Sequence, residues 1–188
     1  QQLADNEIDL AIMGRPPQEL ETVAEPFAEN PLVFVAAPDH PLAQARRIAP
    51  PQLADESFLL REPGSGTRAA MERFLAEHGV VPERTVEMTS NETIKQAVMA
   101  GMGISFISER TIGLELAAGH IVRLNVAGTP VRRHWYVVHR AEKRLLPMAQ
   151  AFRGFLLKES ARFMERAEPA GAAAARPGKT PPARRSRK

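Results

Sequence analysis

The sequence contains no cysteine in its 188 residues. Disulfide bonds, thiolate nucleophiles and cysteine-ligated zinc sites are therefore excluded. Aromatic residues are also scarce, at 5% of the chain, and no run approaches the roughly 20 apolar residues that a membrane-spanning helix requires. No charged segment followed by an apolar one opens the chain, as a secretory signal would require. We expect a soluble, cytoplasmic protein that has no membrane partner.

The positive net charge of +3 comes from the C-terminal end of the chain. Residues 169–188 carry six basic side chains and no acidic one, so residues 1–168 have a net charge of −3. The main body is therefore not a nucleic-acid-binding surface. Residues 167–188 are rich in Ala, Pro and Arg, which predicts a disordered basic tail. Such a tail either adds weak, salt-sensitive affinity for nucleic acid or is an inert solvated segment.

Short apolar runs alternate regularly with segments of helical periodicity along the chain. This pattern is typical of parallel strands joined by crossover helices. The predicted strands are residues 8–13, 32–37, 58–61, 85–88, 104–107, 121–126 and 134–139. The predicted helices are residues 67–78, 91–100, 109–118 and about 144–166. An apolar stripe on the last helix predicts a buried face made of Leu145, Met148, Phe152, Phe155 and Leu156. The predicted fold class is α/β, as one domain or two small lobes.

One turn connects an apolar strand to a helix through the residues Arg61-Glu62-Pro63-Gly64-Ser65-Gly66-Thr67-Arg68. Backbone N–H groups and the two hydroxyls converge there at the positive end of the helix dipole, which favours binding of a small anion. The alternative is an ordinary turn in which Ser65 or Thr67 caps the helix.

A second turn, Thr89-Ser90-Asn91-Glu92-Thr93, has the same design, and Thr89 and Glu92 are spaced as a capping box. Ligands of open parallel sheets bind outside the carboxyl ends of the strands, so the two turns are predicted to face one crevice. Gly101-Met102-Gly103 permits close backbone approach just before the next strand. The alternative, in which all these residues are only caps and turns, stays open on this reasoning.

Catalytic signatures are missing from the sequence. The five histidines do not fall in a metal-ligand spacing, and Ser65 does not lie in the G-x-S-x-G motif of hydrolases. An enzyme would have to take its acid or base from Glu62, Glu92 or Asp39, and no plausible acid–base partnership is evident. We therefore expect a protein that binds a ligand without chemistry, metal or cofactor.

Four motifs in order resemble the effector-binding domain of LysR-type transcriptional regulators. They are N-E-I-D-L-A-I-M-G from residue 6, L-V-F-V-A-A-P-D-H-P-L-A from residue 32, R-E-P-G-S-G-T-R from residue 61, and S-N-E-T-I-K-Q-A-V-M-A-G-M-G-I-S-F-I from residue 90. Together with T-I-G-L-E-L-A-A-G and R-H-W-Y-V-V-H-R, they are most similar to the CbbR-type regulators of Calvin-cycle operons. The resemblance covers about residues 1–160.

The resemblance implies a two-lobed, periplasmic-binding-protein-like (type II) fold. Lobe I would comprise residues 1–36 and 138–166, and lobe II residues 37–137. The effector would lie between the lobes. The positions that the resemblance assigns to the effector site are Met13, Gly14, Arg15, Ser65, Gly66, Thr67, Arg68, Asn91, Glu92, Gly103 and Ile104.

The family's winged helix-turn-helix, linker helix and first strand and helix of lobe I have no counterpart in the sequence, which implies an N-terminally truncated domain. The implied function is ligand sensing: a small anionic metabolite, phosphorylated or carboxylated, binds and controls transcription of carbon-fixation genes. The implied partners of the full-length protein are its own copies in a homo-oligomer and operator DNA. The alternatives are a transporter's solute-binding protein, which needs a signal peptide, and an enzyme on the same fold.

Overall fold

The computed structural model describes residues 2–166, with the side chains of residues 164–166 left aside. The chain forms two β-sheets. The strands are β1 (Ala11–Met13), β2 (Thr22–Glu29), β3 (Leu32–Ala36), β4 (Ser57–Arg61), β5 (Arg84–Met88), β6 (Ile104–Ser108), β7 (Val122–Arg123) and β8 (His134–Arg140). The helices are α1 (Gly66–Glu77), α2 (Asn91–Met99), α3 (Gly113–Ala117) and α4 (Pro147–Arg166). Short 3₁₀ helices cover Pro41–Gln44, Pro50–Leu53 and Glu109–Thr111.

The larger sheet has the strand order β5-β4-β6-β3-β7, and the smaller has the order β1-β8-β2. Only the pairs β4–β5 and β4–β6 are parallel; every other pairing between these strands is antiparallel. The expectation of parallel strands is thus correct for the β4-α1-β5-α2-β6 unit and wrong for the rest. Apolar runs predict that both faces of a strand are covered, but they carry no information on strand direction.

Helices α1 and α2 cover opposite faces of the larger sheet. Strand β3 shows how the sequence achieves this, because Leu32, Phe34 and Ala36 contact the α1 side whereas Val33 and Val35 contact the α2 side. All five residues are buried because alternate side chains of a strand point to opposite faces and both faces of this sheet are covered.

Strand β2 is not predicted from the sequence. Its residues include Pro26 and glutamates at positions 25 and 29, a composition that normally argues against a strand. The strand accommodates the proline at a bulge between Pro26 and Ala28, where its register against β8 shifts.

Helix α4 packs on β2 through a narrow contact. Leu145 and Ala149 are buried, and Arg153 forms an ion pair with Glu25. The predicted buried stripe is wrong at three of its five positions: Met148, Phe152 and Phe155 are exposed, at 85%, 46% and 49%, whereas Leu145 is buried and Leu156 is half-buried. The periodicity was helical, but no described element covers this side of α4.

The chain passes from the smaller to the larger sheet between Glu29 and Leu32, and returns between Arg123 and His134. The lobe boundaries that the resemblance implies, 36/37 and 137/138, lie past both passages. The predicted helix 109–118 is divided at Ile112 into a 3₁₀ turn and α3. Within residues 2–166, no helix is both long and apolar enough to span a membrane. The predicted basic tail, residues 167–188, lies outside the described residues.

Candidate anion-binding site

Two helix N-termini lie at one edge of the larger sheet, as predicted. Strands β4 and β5 run parallel with Arg61 opposite Met88, and the turn after each strand leads into α1 or α2. Gly64 in the first turn has φ +87°, a conformation that favours glycine. Both helices therefore begin at the same edge and present their free backbone N–H groups there, where the helix dipoles favour negative charge.

Arg61 joins the two turns. Its Nη1 donates a hydrogen bond to Oδ1 of Asn91 at 2.8 Å, and its Nε and Nη2 each donate to Glu62 at 2.7 Å. The hydrogen bonds to Glu62 raise the pKa of Arg61, and the same bonds lower the pKa of Glu62. The charge of Arg61 is thus compensated within the protein, and its role is to hold the turns together.

Arg68, assigned to the effector site by resemblance, is likewise engaged. Its guanidinium contacts Glu72 at 2.8 Å and Glu87 at 2.7 Å, and donates to the carbonyl of Arg61 at 3.1 Å. Hydrogen bonds to both glutamates raise the pKa of Arg68. A side chain with two carboxylate partners is not poised to pair with a ligand anion.

The start of α2 differs in detail from the predicted capping box. Ser90 is the N-cap, and its Oγ accepts from the backbone N–H of Thr93 at 3.1 Å. Glu92 instead contacts Nζ of Lys95 at 2.7 Å, and Glu115 contacts the same nitrogen at 2.8 Å. The Lys95 side chain is 9% exposed and that of Glu115 16%, so this is a mostly buried ion pair.

The pair of Lys95 and Glu115 predicts a pH dependence of stability. Burial alone would raise the pKa of Glu115, but the hydrogen bond from Lys95 outweighs it, and the pKa lies below the usual 4.5. Because the folded-state pKa of Glu115 is lowered, the ion pair stabilises the fold fully above the ordinary pKa of 4.5. This contribution is lost as the pH falls through the folded-state pKa. Lys95→Met should therefore lower the free energy of unfolding by about 2 kcal/mol at pH 7, because Glu115 is left buried and unpaired.

Denaturant titrations at several pH values measure this effect. The difference between wild type and Lys95→Met should shrink below pH 4.5, whereas Lys158→Met, at an exposed position of α4, should change little at any pH. A difference that stays constant down to pH 3 would contradict the assignment.

Gly103 and Ile104 do not lie with the turns. Ile104 pairs with Phe58 at the amino end of β4, and a Cβ on Gly103 would collide with the carbonyl oxygen of Ser57. Ser57 and Arg61 mark the two ends of β4, about 13 Å apart. Ile104 is fully buried in the core. The structure places both residues at the opposite edge of the sheet, where they serve packing, and the expectation that they share the crevice is corrected.

Gly14 follows β1 of the smaller sheet, and Gly66 begins α1, which covers the larger sheet. Both glycines lie next to the side chain of Arg133. Nη1 of Arg133 donates to the carbonyl of Gly66 at 2.6 Å. A Cβ on Gly14 would overlap Nη2 of Arg133, so any other residue at position 14 would have to displace this guanidinium. Beside Gly14, Met13 is half-buried at the end of β1 and Arg15 is exposed. The structure therefore brings the Met13 to Arg15 segment and the start of α1 together around Arg133.

Arg133 is the residue that the sequence analysis missed. Its Nε is buried and has no hydrogen-bond partner, and no carboxylate within the described part of the chain pairs with it. Burial lowers the pKa of Arg133, and the nearby positive charge of Arg73 lowers it further. Arg133 opens the R-H-W-Y-V-V-H-R motif, but nothing in that motif shows whether its guanidinium is paired.

The main chain of Arg133 belongs to the connection between the sheets. Its carbonyl accepts from the backbone N–H of Asn30 at 2.7 Å, and Oγ of Ser108 donates to Oδ1 of Asn30 at 2.5 Å. Asn30 and Ser108 are 2% and 5% exposed. This buried polar contact fixes the two passages of the chain against the end of β6.

A cavity of about 480 Å³ lies beside the smaller sheet and is lined by Pro26, Phe27, Ala28, Glu29, Arg110, His134 and Ala161. It does not include Gly14, Gly66 or Asn91, so it is distinct from the crevice between the turns. Within residues 2–163, no group of three or more His, Asp or Glu side chains is arranged to hold a metal ion.

Comparisons with known proteins show strong similarity to transcriptional regulators. The chain is 53% identical over 164 residues to the HTH-type transcriptional regulator CfxR of Cupriavidus necator, a match that covers 87% of this chain and 52% of that protein. It is 52% identical over 163 residues to a RuBisCO operon transcriptional regulator of Allochromatium vinosum, covering 87% and 54%. The chain thus spans about half the length of these relatives.

A solved structure agrees in fold and sequence. The regulatory domain of CcmR from Synechocystis PCC6803, determined in complex with 2-PG, matches with a TM-score of 0.79 and 41% identity over 83% of this chain and 75% of that one. The two-lobed periplasmic-binding-protein-like fold expected from the motifs is thereby confirmed. The family model of the LysR substrate binding domain matches residues 1–161. The chain belongs to the LysR substrate-binding domain family.

Proposed function

We propose that this chain is the effector-sensing domain of a transcriptional regulator of carbon-fixation genes, and that it binds a small anionic metabolite between its two lobes. The observation that carries the proposal is the meeting of two helix N-termini, α1 and α2, at the edge where Gly14 of the other sheet approaches. Such an edge favours phosphate or carboxylate. The relatives named above are regulators, which supports sensing rather than catalysis or solute transport.

The proposed ligand class is a phosphorylated or carboxylated metabolite, for which 2-phosphoglycolate is a suitable probe. The CcmR domain, which is 41% identical, was solved with 2-PG. We include Met13, Gly14, Arg15, Ser65, Gly66, Thr67 and Asn91 in the proposed site. Arg68 and Glu92 line its edge but are held in ion pairs.

In the whole protein, we infer that the domain works in the cytoplasm within a homo-oligomer, and that operator DNA is bound through a winged helix-turn-helix outside these 188 residues. The effector shifts the equilibrium between lobe arrangements, provided that it binds one arrangement more tightly than the other. We further propose that the smaller sheet with α4, and the larger sheet with α1, α2 and α3, move as the two lobes.

Thr67→Val tests the proposed site. The Thr67 side chain is half-buried in the first turn of α1 and makes no hydrogen bond within residues 2–163, so its hydroxyl is available to a ligand. Calorimetry on the wild type should give micromolar to millimolar binding of 2-phosphoglycolate, or about −4 to −8 kcal/mol. The variant should lose about 1–2 kcal/mol of this while its stability changes little.

Thr85→Val provides the matched control, because Thr85 is exposed near the amino end of β5, away from the turns. Its affinity should equal that of the wild type. If Thr67→Val folds and binds as tightly as the wild type, the ligand lies elsewhere. If the wild type binds no phosphorylated or carboxylated metabolite at all, the proposed function itself is refuted.

A further inference from the structure

Arg133 is an uncompensated positive charge between the two sheets. Two other arginines at the site have carboxylate partners: Arg61 has Glu62, and Arg68 has Glu72 and Glu87. Arg133 has a single hydrogen bond, to the carbonyl of Gly66, and its buried Nε donates to nothing. A guanidinium that is partly buried and left without an anion costs free energy in the folded state.

The surroundings of Arg133 add to its positive potential. Arg73 lies on α1 close enough to disfavour a second charge, and the N-terminus of α1 begins at Gly66. Two glycines leave the space around the guanidinium open: a Cβ at Gly66 would still be 3.8 Å from Nη1 and Nη2, whereas one at Gly14 would overlap Nη2. Glycine at position 14 thus leaves the guanidinium in place, since a Cβ there would displace it.

We propose that the guanidinium of Arg133 is the group to which the anionic part of the effector pairs, as a two-pronged contact between the lobes. The inference rests on the proposed function and assigns its charge recognition to one residue. The planar fork of arginine matches phosphate or carboxylate oxygens in bidentate geometry. The ligand's oxygens would accept from Nη2, which makes no hydrogen bond within the described residues and is not buried as Nε is, and the ligand's charge would compensate the guanidinium.

The contacts of Arg133 also link ligand binding to the arrangement of the two lobes. Its side chain contacts the start of α1 in the larger sheet and Gly14 of the smaller one, and its carbonyl is bound by the N–H of Asn30 in the other passage. An anion that draws the guanidinium into the crevice therefore acts on both sheets and on their connection. This is the differential contact that a population shift requires.

The test compares Arg133→Met with Arg132→Met in the 188-residue chain. Both variants remove one positive charge from adjacent positions, but the Arg132 side chain is 76% exposed and contacts only Glu29, at 3.4 Å. Calorimetry with 2-phosphoglycolate should show at least a tenfold loss of affinity for Arg133→Met and less than a twofold change for Arg132→Met. Arg133→Lys, which keeps the charge without the fork, should fall between them.

Thermal unfolding supplies the readout that a merely structural arginine would not give. Without ligand, Arg133→Met should melt at or above the wild-type temperature, since an unpaired charge has been removed. Inorganic phosphate, compared with chloride at equal ionic strength, should raise the melting temperature of the wild type and of Arg132→Met but not of Arg133→Met.

The outcomes separate the two proposals. If the wild type binds 2-phosphoglycolate and Arg133→Met binds it equally well, the assignment of Arg133 is overturned and the proposed function stands. A ligand-free Arg133→Met that melts several degrees below the wild type also overturns it, because the arginine is then a structural prop. A wild type that responds to neither anion overturns both proposals.

Discussion

Gly103→Ala is expected to destabilise the fold by about 3 kcal/mol without any direct effect on ligand affinity. Gly103 has φ +156°, and a Cβ there would lie against the backbone of Ser57, 3.0 Å from its carbonyl carbon and closer to the oxygen. Because the obstacle is backbone of β4, it cannot rotate away as a side chain would. Overpacking of this kind costs about 1–3 kcal/mol, and the unfavourable backbone conformation adds about 1–2 kcal/mol.

Gly101→Ala is the matched control for this prediction. Gly101 also has a positive φ, +72°, but nothing lies within 4 Å of a Cβ built there. Denaturant titration should give a loss of about 1–2 kcal/mol, from backbone strain alone. Equal losses for the two variants would show that Gly103 does not approach β4 as described. A Gly103→Ala variant that remains stable but binds ligand poorly would return Gly103 to the effector site.

Phe34→Ala is expected to lower the free energy of unfolding by about 3–5 kcal/mol. Phe34 is fully buried in β3, and its ring lies 4.7 Å from that of Phe106 and 5.4 Å from that of Phe74, between ring centroids. Its removal leaves a cavity between the sheet and α1. The free energy of unfolding from urea titration measures the loss.

Phe152→Ala, on α4, should cost less than about 1 kcal/mol, because the side chain is 46% exposed. The difference between the two losses of unfolding free energy shows how much more the core of the five-stranded sheet contributes to stability than the exposed side of α4. A loss above 3 kcal/mol for Phe152→Ala would mean that another surface covers this helix in solution.

Much of the larger sheet could be predicted because its local signals agree with its tertiary environment. Strand β3 and the central residues of β4 are apolar since both of their faces are covered, and β6 is apolar apart from its two serines. The two turns also meet where parallel strands with crossover helices must place them. Strand β2 could not be predicted in this way, since Pro26 and its glutamates look like loop and only the bulge accommodates them.

The candidate site was harder to predict, because the sequence shows which residues carry charge but not which charges are paired. Glu72 lies one helical turn after Arg68, a spacing that does signal a pair. Glu87 is brought to the same arginine only by the pairing of β5 with β4. The solitary state of Arg133 depends on two distant glycines and on the absence of a carboxylate among its neighbours, which only the folded chain reveals.

A crystal structure of this chain with 2-phosphoglycolate would test the proposed site most directly. We expect the ligand between the two lobes, with its phosphate or carboxylate within hydrogen-bond distance of the Arg133 guanidinium and the N-terminal N–H groups of α1. Arg61 and Arg68 should keep their carboxylate partners. A ligand bound in the cavity beside Phe27 and His134, or one held by Arg68 with Arg133 unoccupied, would contradict the proposed site.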